Sequence, residues 1–382
     1  MIALTLMGVV VFVAITYEVL PVGLLGSIGA DLASNEQGAG LLVSTYSFVV
    51  VLGAIPLSAL LAKQDARRTL LIVLAVFAFS AGLLGFASSL PMAMLARVVG
   101  GLAHALLFTA VYRIALAVVP SERKGLAAAA VSGGNAVALS LGVPAATALG
   151  GAMSWRTSFA VVSCLFGLLI VLSWVVIPSR TGGAGQGMRA GEVIAEMQRW
   201  PLLRMGITIT VLMVAHFTAY TYVEPLLREA GIVDESVSVV LFGYGVASVV
   251  GLMLVSRISD RRPTAALRVV IALLVITMLG IWVAHAAAIA TAAIVIVWGL
   301  TFGALPVLLH VLALRASDHA PEIAPPVVNT TFNVGITLGA VVGGQVLVAG
   351  NAAATTLVSF ALFLGMLSVA FIPRWLPRDR TS

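Results

Sequence analysis

Long uninterrupted apolar runs alternate with short polar breaks along this chain. Twelve such runs can be marked, at about 3–26, 38–61, 69–88, 91–118, 125–150, 157–177, 202–227, 237–256, 264–284, 288–313, 323–349 and 353–373. Most match or exceed the ~20 residues a helix needs to cross a bilayer core. Such runs fold as helices, because lipid offers backbone N–H and C=O groups no other partners. The seventh run carries an unusual polar stretch, Val214–Leu227, which reads VAHFTAYTYVEPLL. His216, Tyr220 and Glu224 follow i, i+4, i+8 spacing there, so one continuous helix would put them on one face. Ionisable groups at membrane depth are costly and by default face a cavity or a partner. In the first run, Thr16-Tyr17-Glu18-Val19-Leu20-Pro21 shows the same order of Thr, Tyr, acid and Pro as Thr221–Pro225. The two copies suggest a duplicated membrane protein with its working site between the halves.

Composition agrees with that pattern. Of 382 residues, 61% are hydrophobic and 9% charged, and the mean hydropathy is +1.12. A soluble domain carries about 25% charged residues, so this is an integral membrane protein. The two lysines, Lys63 and Lys124, sit in no Gly-rich phosphate loop, which excludes an ATP-driven pump from this chain. No HExxH or GxSxG motif is present, and neither an enzymatic activity, a metal nor a cofactor is expected. The single cysteine, Cys164, allows no internal disulfide. The net charge of +6 reflects topology rather than nucleic-acid binding. With the N-terminus inside, the inner loops and tail hold 17 Lys and Arg, and the outer loops hold only Arg156 and Arg228. That asymmetry puts both termini in the cytoplasm. The expected organisation is a six-helix half over 1–177, a Gly-rich cytoplasmic linker with a short amphipathic helix over 178–201, a second half over 202–373 and a tail over 374–382. The first run is too long, and lacks the cleavage site, for a signal peptide. The chain opens almost inside that helix, so a few further cytoplasmic residues are expected before it.

A six-plus-six chain resembles the plan of the major facilitator superfamily, whose halves are related by an axis along the membrane normal. Between its second and third helices that superfamily usually carries a Gly, an Asp-Arg and a basic pair. Here Arg67-Arg68 keeps the basic pair, but Ala59 replaces the Gly and Lys63-Gln64 replaces the Asp-Arg. The counterpart Ser256–Arg262 keeps Asp260-Arg261, so the resemblance implies a cytoplasmic gate lock that is stronger in the second half. The alternative is that these arginines serve topology alone. Arg97–His104 resembles the superfamily's membrane-embedded Arg motif. Gly133-Gly134-Asn135 and Gly142-Val143-Pro144 resemble the Gly/Pro motif of its exporters. Further pieces are Tyr17–Leu25 (YEVLPVGLL), Ala103–Ala105, Val214–Leu226 and Phe332–Val346 (FNVGITLGAVVGGQV). Together they are similar to the bacterial sugar efflux transporters of the drug:proton antiporter-1 group. The resemblance implies an inner-membrane exporter, normally monomeric, of arabinose, thiogalactosides or similar solutes, driven by proton influx. Export of purine nucleosides or bases, or of lipophilic drugs, is the alternative.

The residues themselves suggest roles. Sugar recognition needs hydrogen bonds to hydroxyls and an apolar ring face. Tyr17, His104, Asn135, His216, Tyr220, Tyr222 and Asn333 could supply the bonds, and Trp298 the ring. His104 is equally readable as a structural histidine. Proton coupling needs a group that binds a proton in one state and releases it in the other. Glu18, near the middle of the first run, is the first candidate; Glu224 is the second, unless it merely lines the outer mouth. Arg97 should meet an acid or a cluster of carbonyls, because guanidinium stays charged. Pro144, Asp260 and Arg261 complete the structural and gating set, and Gly335, Gly339 and Gly343 form a packing ridge.

Overall fold

The computed structural model describes all residues except 62–63, 121–126, 128–129, 132, 136, 139–140, 143–152, 180–194, 196–197, 258–260, 318–323, 378 and 380–382. Among the described residues the regular elements are all helices, and 11 are long and apolar enough to cross a membrane. The expected span at 125–150 and the linker lie largely outside the described residues, as do Pro144 and Asp260.

The first half opens with α1 (Ile2–Val19), a 3₁₀ turn (Leu20–Leu24) and α2 (Leu25–Asp31). Then come α3 (Glu36–Leu61), α4 (Ala66–Gly85), α5 (Leu90–Ala117) and α6 (Trp155–Val176). The second half contains α7 (Trp200–Tyr220), α8 (Val223–Glu229), α9 (Asp234–Ser256), α10 (Pro263–Ala284), α11 (Ala288–Ala316), α12 (Ala324–Ala349) and α13 (Ala352–Ala370). In the first half α5 packs on α1, α3 and α4; in the second α11 packs on α7, α9 and α10. Between the halves, α3 lies along α12. Asp65 caps α4 by accepting from the Arg68 N–H at 2.9 Å, so this loop acid serves a helix end.

The duplication has a nearly constant register. Equivalent helices start at Ile2 and Trp200, Leu25 and Val223, Glu36 and Asp234, Leu90 and Ala288; each pair is 198 residues apart, while the helices starting at Ala66 and Pro263, and at Trp155 and Ala352, are 197 residues apart. This corrects the pairing of Thr16–Pro21 with Thr221–Pro225. At the observed register Glu18 corresponds to His216, and Glu224 corresponds to Gly26. The similar order of residues is a coincidence of composition at two breaks, displaced by about two turns of helix.

Both breaks follow from proline. Pro21 has no N–H, so the Tyr17 carbonyl four residues earlier loses its helical donor. The chain tightens into the 3₁₀ turn over Leu20–Leu24, and Arg97 of α5 supplies the missing donors. Its Nη1 donates to Tyr17 O at 3.0 Å, its Nη2 to Glu18 O at 2.6 Å and its Nε to Leu42 O of α3 at 2.9 Å. The guanidinium also lies over the Tyr46 ring, 4.0 Å from its centroid. Of the two environments expected for Arg97, it therefore occupies the carbonyl cluster. In the second half α7 stops at Tyr220, and Pro225 likewise withholds the N–H that Thr221 O would accept.

Helices surrounded by lipid gain little from apolar burial against one another, so close backbone approach carries much of the packing. The α9–α11 pair shows this. A Cβ on Gly251, Gly299 or Gly303 would run into the carbonyl oxygen of Leu300, Tyr244 or Ser248 respectively. The Gly335, Gly339 and Gly343 ridge of α12 lies in the same way against Met213, Phe217 and Thr218 of α7.

Two predictions follow this geometry. Arg97→Lys keeps the charge but cannot reach three carbonyls on two helices. It should cost about 1–3 kcal/mol for the carbonyls left unpaired, seen as a lower melting temperature in detergent. Gly303→Val should push α11 from α9 and destabilise by about 1–3 kcal/mol, as overpacking does, whereas Gly365→Val, where the added Cβ meets no neighbour, should not.

Candidate functional site

The first-half cluster is built on the helix break. Glu18 is the last residue but one of α1 and is 3% exposed, and Arg97 is wholly buried. Arg97 holds the backbone carbonyl of Glu18, not its carboxylate. The carboxylate points instead to His104, two turns along α5 from Arg97, with Oε2 3.6 Å from Nδ1. Tyr46 Oη lies 3.1 Å from the same Nδ1, and its ring stands edge-on to the imidazole. Among the described residues, Glu18 Oε1 and His104 Nε2 are buried with no partner in hydrogen-bond geometry. Asn329 of α12 approaches His104 from the other half. The cluster therefore sets an acid and a phenol beside one imidazole nitrogen, around a cation whose donors go to backbone carbonyls and not to the acid's oxygens.

The second-half cluster is aromatic. His216 of α7 stacks on Phe302 of α11, with centroids 3.6 Å apart and planes 8° apart. Tyr220 lies 4.8 Å from His216 and 5.1 Å from Tyr244 of α9. Trp298 is edge-on to His216, Tyr220 and Tyr244 at 5.2–5.7 Å. Asn333 of α12 is 2% exposed and donates to Asn329 O at 3.0 Å.

The expected His216–Tyr220–Glu224 stripe does not form one face, because α7 ends between its second and third members. Glu224 instead closes the far end of the bundle. Its Oε2 accepts from the N–H of Gly26, its own equivalent in the first half, at 3.2 Å, and its Oε1 pairs with Arg228 at 2.9 Å. A cavity of about 380 Å³ beside this contact is lined by Asn35, Glu36, Gln37, Glu229 and Asn351 among others.

Four further sequence candidates have other surroundings, although the Tyr17 ring still touches Tyr46 of the first cluster. Tyr17 turns into its own half. There it shares a hydrogen bond with Ser80 at 2.6 Å and meets Tyr46, Phe77, Phe159 and Phe166 edge-on at 5.9–6.1 Å. Tyr222 donates to Ala340 O at 2.8 Å, in a socket formed by Gly40, Gly343 and Gly344. Asn135 follows Gly134, which sits against Gly8 near the start of α1, more than two turns from Glu18. Arg261 is exposed at a helix end. The sequence reading overlooked Tyr46, Tyr244 and Phe302. A scan for the 198-residue register would have matched Tyr46 with Tyr244 and His104 with Phe302.

Comparison with known proteins agrees with this architecture. The sequence pattern of the Major Facilitator Superfamily matches residues 6–324. A probable sugar efflux transporter of Mannheimia succiniciproducens is 28% identical over 343 residues, 89% of this chain and 86% of its own. One from Helicobacter pylori strain J99 is 29% identical over 342 residues, 88% and 86% of the two chains. The crystal structure of a mutant of the nucleoside transporter NupG superposes with a TM-score of 0.73 at 11% identity, covering 97% of this chain and 99% of that one. A duplicated helical bundle, two proline-broken helices and a family match across most of the sequence lead to one conclusion: this chain is a multi-pass membrane transporter and belongs to the Major Facilitator Superfamily.

Proposed function

We propose that the protein exports a small sugar-like solute across the bacterial inner membrane in exchange for protons. The observation that carries this reading is the Glu18–His104–Tyr46 cluster. Arg97 is held by three backbone carbonyls and leaves the Glu18 carboxylate free to gain or lose a proton. Glu18 binds the coupling proton, and His104 and Tyr46 pass it on. His216, Tyr220 and Asn333 bind the solute, with Trp298 as an apolar wall. Relatives named as probable sugar efflux transporters support the solute class. A nucleoside transporter of the same fold keeps nucleosides as the second reading, since a nucleobase would stack on the same rings.

The halves run over 1–177 and 202–373, joined by a cytoplasmic linker. With both termini inside, the Gly26–Glu224 contact lies at the outer end, and this conformation is closed toward the outside. Reporter fusions after Arg156 and Arg228 should then score as outside; a cytoplasmic score at either would overturn this orientation.

Proton and solute compete in this mechanism, so solute affinity should fall as pH falls. Glu18→Gln imitates the protonated acid. It should remove that pH dependence and abolish substrate-induced proton movement in proteoliposomes, while passive exchange of solute persists. Proton movement at the native ratio in Glu18→Gln would rule Glu18 out and leave Glu224 as the acid to test.

A further inference from the structure

The 198-residue register shared by the helices starting at Ile2, Glu36 and Leu90 with their counterparts allows those helices to be compared position by position. Glu18, Tyr46 and His104 correspond to His216, Tyr244 and Phe302, and Arg97 corresponds to Val295. In the first half these positions hold a carboxylate, a phenol, an imidazole and a cation in contact. In the second half the same positions hold an imidazole stacked on a phenyl ring, with Tyr244 joined to them through Tyr220 and Trp298. The fixed cation and the acid are both gone.

The second-half cluster also has an unusual hydrogen-bond balance. Among the described residues, His216 Nδ1 and Nε2, Tyr220 Oη, Tyr244 Oη and Trp298 Nε1 are all buried with no partner in hydrogen-bond geometry. Their side chains are at most 2% exposed. The Ser248 hydroxyl lies close to Tyr244 Oη, but it donates to Gly299 O at 2.8 Å and makes no aligned hydrogen bond with the phenol. Buried polar atoms are nearly always partnered, and each exception calls for an explanation. Five in one ring cluster, drawn from three helices, call for a shared one. Helix capping does not explain them: no cap hydrogen bond involves these side chains, and His216, Tyr244 and Trp298 lie inside α7, α9 and α11.

We infer that His216, Tyr220, Tyr244, Trp298 and Phe302 form a solute-recognition cage, with Tyr244 as a specificity-determining residue. This deepens the proposed function and rests on it. The duplication has divided the work: the charged copy of the arrangement handles the proton, and the ring copy handles the solute. The cage provides flat apolar faces edged by neutral hydrogen-bonding atoms: an indole N–H that only donates, two phenols that donate or accept, and an imidazole. No carboxylate, lysine or arginine belongs to it. It therefore suits a neutral solute with one apolar face and several hydroxyls at its edge, which describes a pyranose or a nucleoside, and not a lipophilic cation. In the present conformation the rings close on one another, so the solute enters by parting the His216–Phe302 stack.

The test uses purified full-length protein with three probes: L-arabinose, isopropyl thiogalactoside and inosine. Tyr244→Phe removes only the unpartnered oxygen and keeps every ring contact. It should weaken binding of the probe that wild type binds best by about three- to tenfold, as loss of one hydrogen bond does. Its melting temperature should stay equal or rise, because a buried unpaired hydroxyl has been removed. Trp298→Phe should also weaken binding of that probe. A preference for inosine over the two sugars assigns the cage to nucleosides; the reverse assigns it to sugars. Unchanged affinity in both variants overturns the cage while leaving the proton-coupling reading intact. A loss of affinity matched by a loss of thermal stability also counts against it. If wild type binds none of the three probes, both the solute class and the cage fail.

Discussion

The first half is organised around one buried cation and the backbone it completes. Pro21 breaks α1 where the membrane offers no water to satisfy the freed carbonyls. The Arg97 guanidinium meets that demand with a planar fork of donors, and no other side chain could reach Tyr17 O, Glu18 O and Leu42 O at once. A charged group at this depth would be costly if it were unpaired. Three charge-assisted hydrogen bonds, and the Tyr46 and Tyr17 rings beneath the cation, offset that cost. The same contacts decide where the Glu18 carboxylate points. Because the arginine is occupied by backbone, the Glu18 side chain is free to face His104.

The second half has no equivalent of this brace. Val295 stands at the position of Arg97, and α7 closes its own break with ordinary turn hydrogen bonds, Thr221 N–H to Phe217 O and Tyr222 N–H to Ala219 O. What replaces the charged cluster is a stack of rings held close by glycine. Gly299 lets α11 approach Tyr244, and Gly303 lets it approach Ser248, so Trp298 and Phe302 reach across to α7 and α9. Glycine spacing and ring packing thus do in this half what hydrogen bonding does in the other.

The halves also meet on their own symmetry. Gly26 and Glu224 are equivalent residues, and they touch. A contact between equivalent positions lies on the axis relating the repeats, and an asymmetric pair there can be complementary where an identical pair could not. Glycine fits because a Cβ at that place would press on the Glu224 carboxylate and on Arg228. The contact is small and polar, with a neighbouring cavity, which suits a junction that must open and close.

Much of the architecture was legible in the chain itself. Apolar runs separated by basic loops specify membrane helices, because lipid permits the backbone no other solution. Arg97 announced a buried polar partner, since its charge cannot be removed by deprotonation. Glu18 and His104 were both visible as costly residues in apolar helices, but nothing in their spacing said that they meet across two helices. That contact depends on how α1 and α5 pack. The repeat was misregistered for a related reason: Thr, Tyr, acid and Pro gather at any helix break, so local order misled where helix ends did not. Tyr46, Tyr244 and Phe302 carry no local sign of a role, because an aromatic residue in an apolar run looks like packing; only the 198-residue register links them to the polar positions. Only the tertiary structure separates Tyr17, whose hydroxyl is satisfied by Ser80, from Tyr244, whose hydroxyl has no aligned partner among the described residues. Local sequence dictates which groups are hidden from water; packing between distant helices decides which of them are left to bind something else.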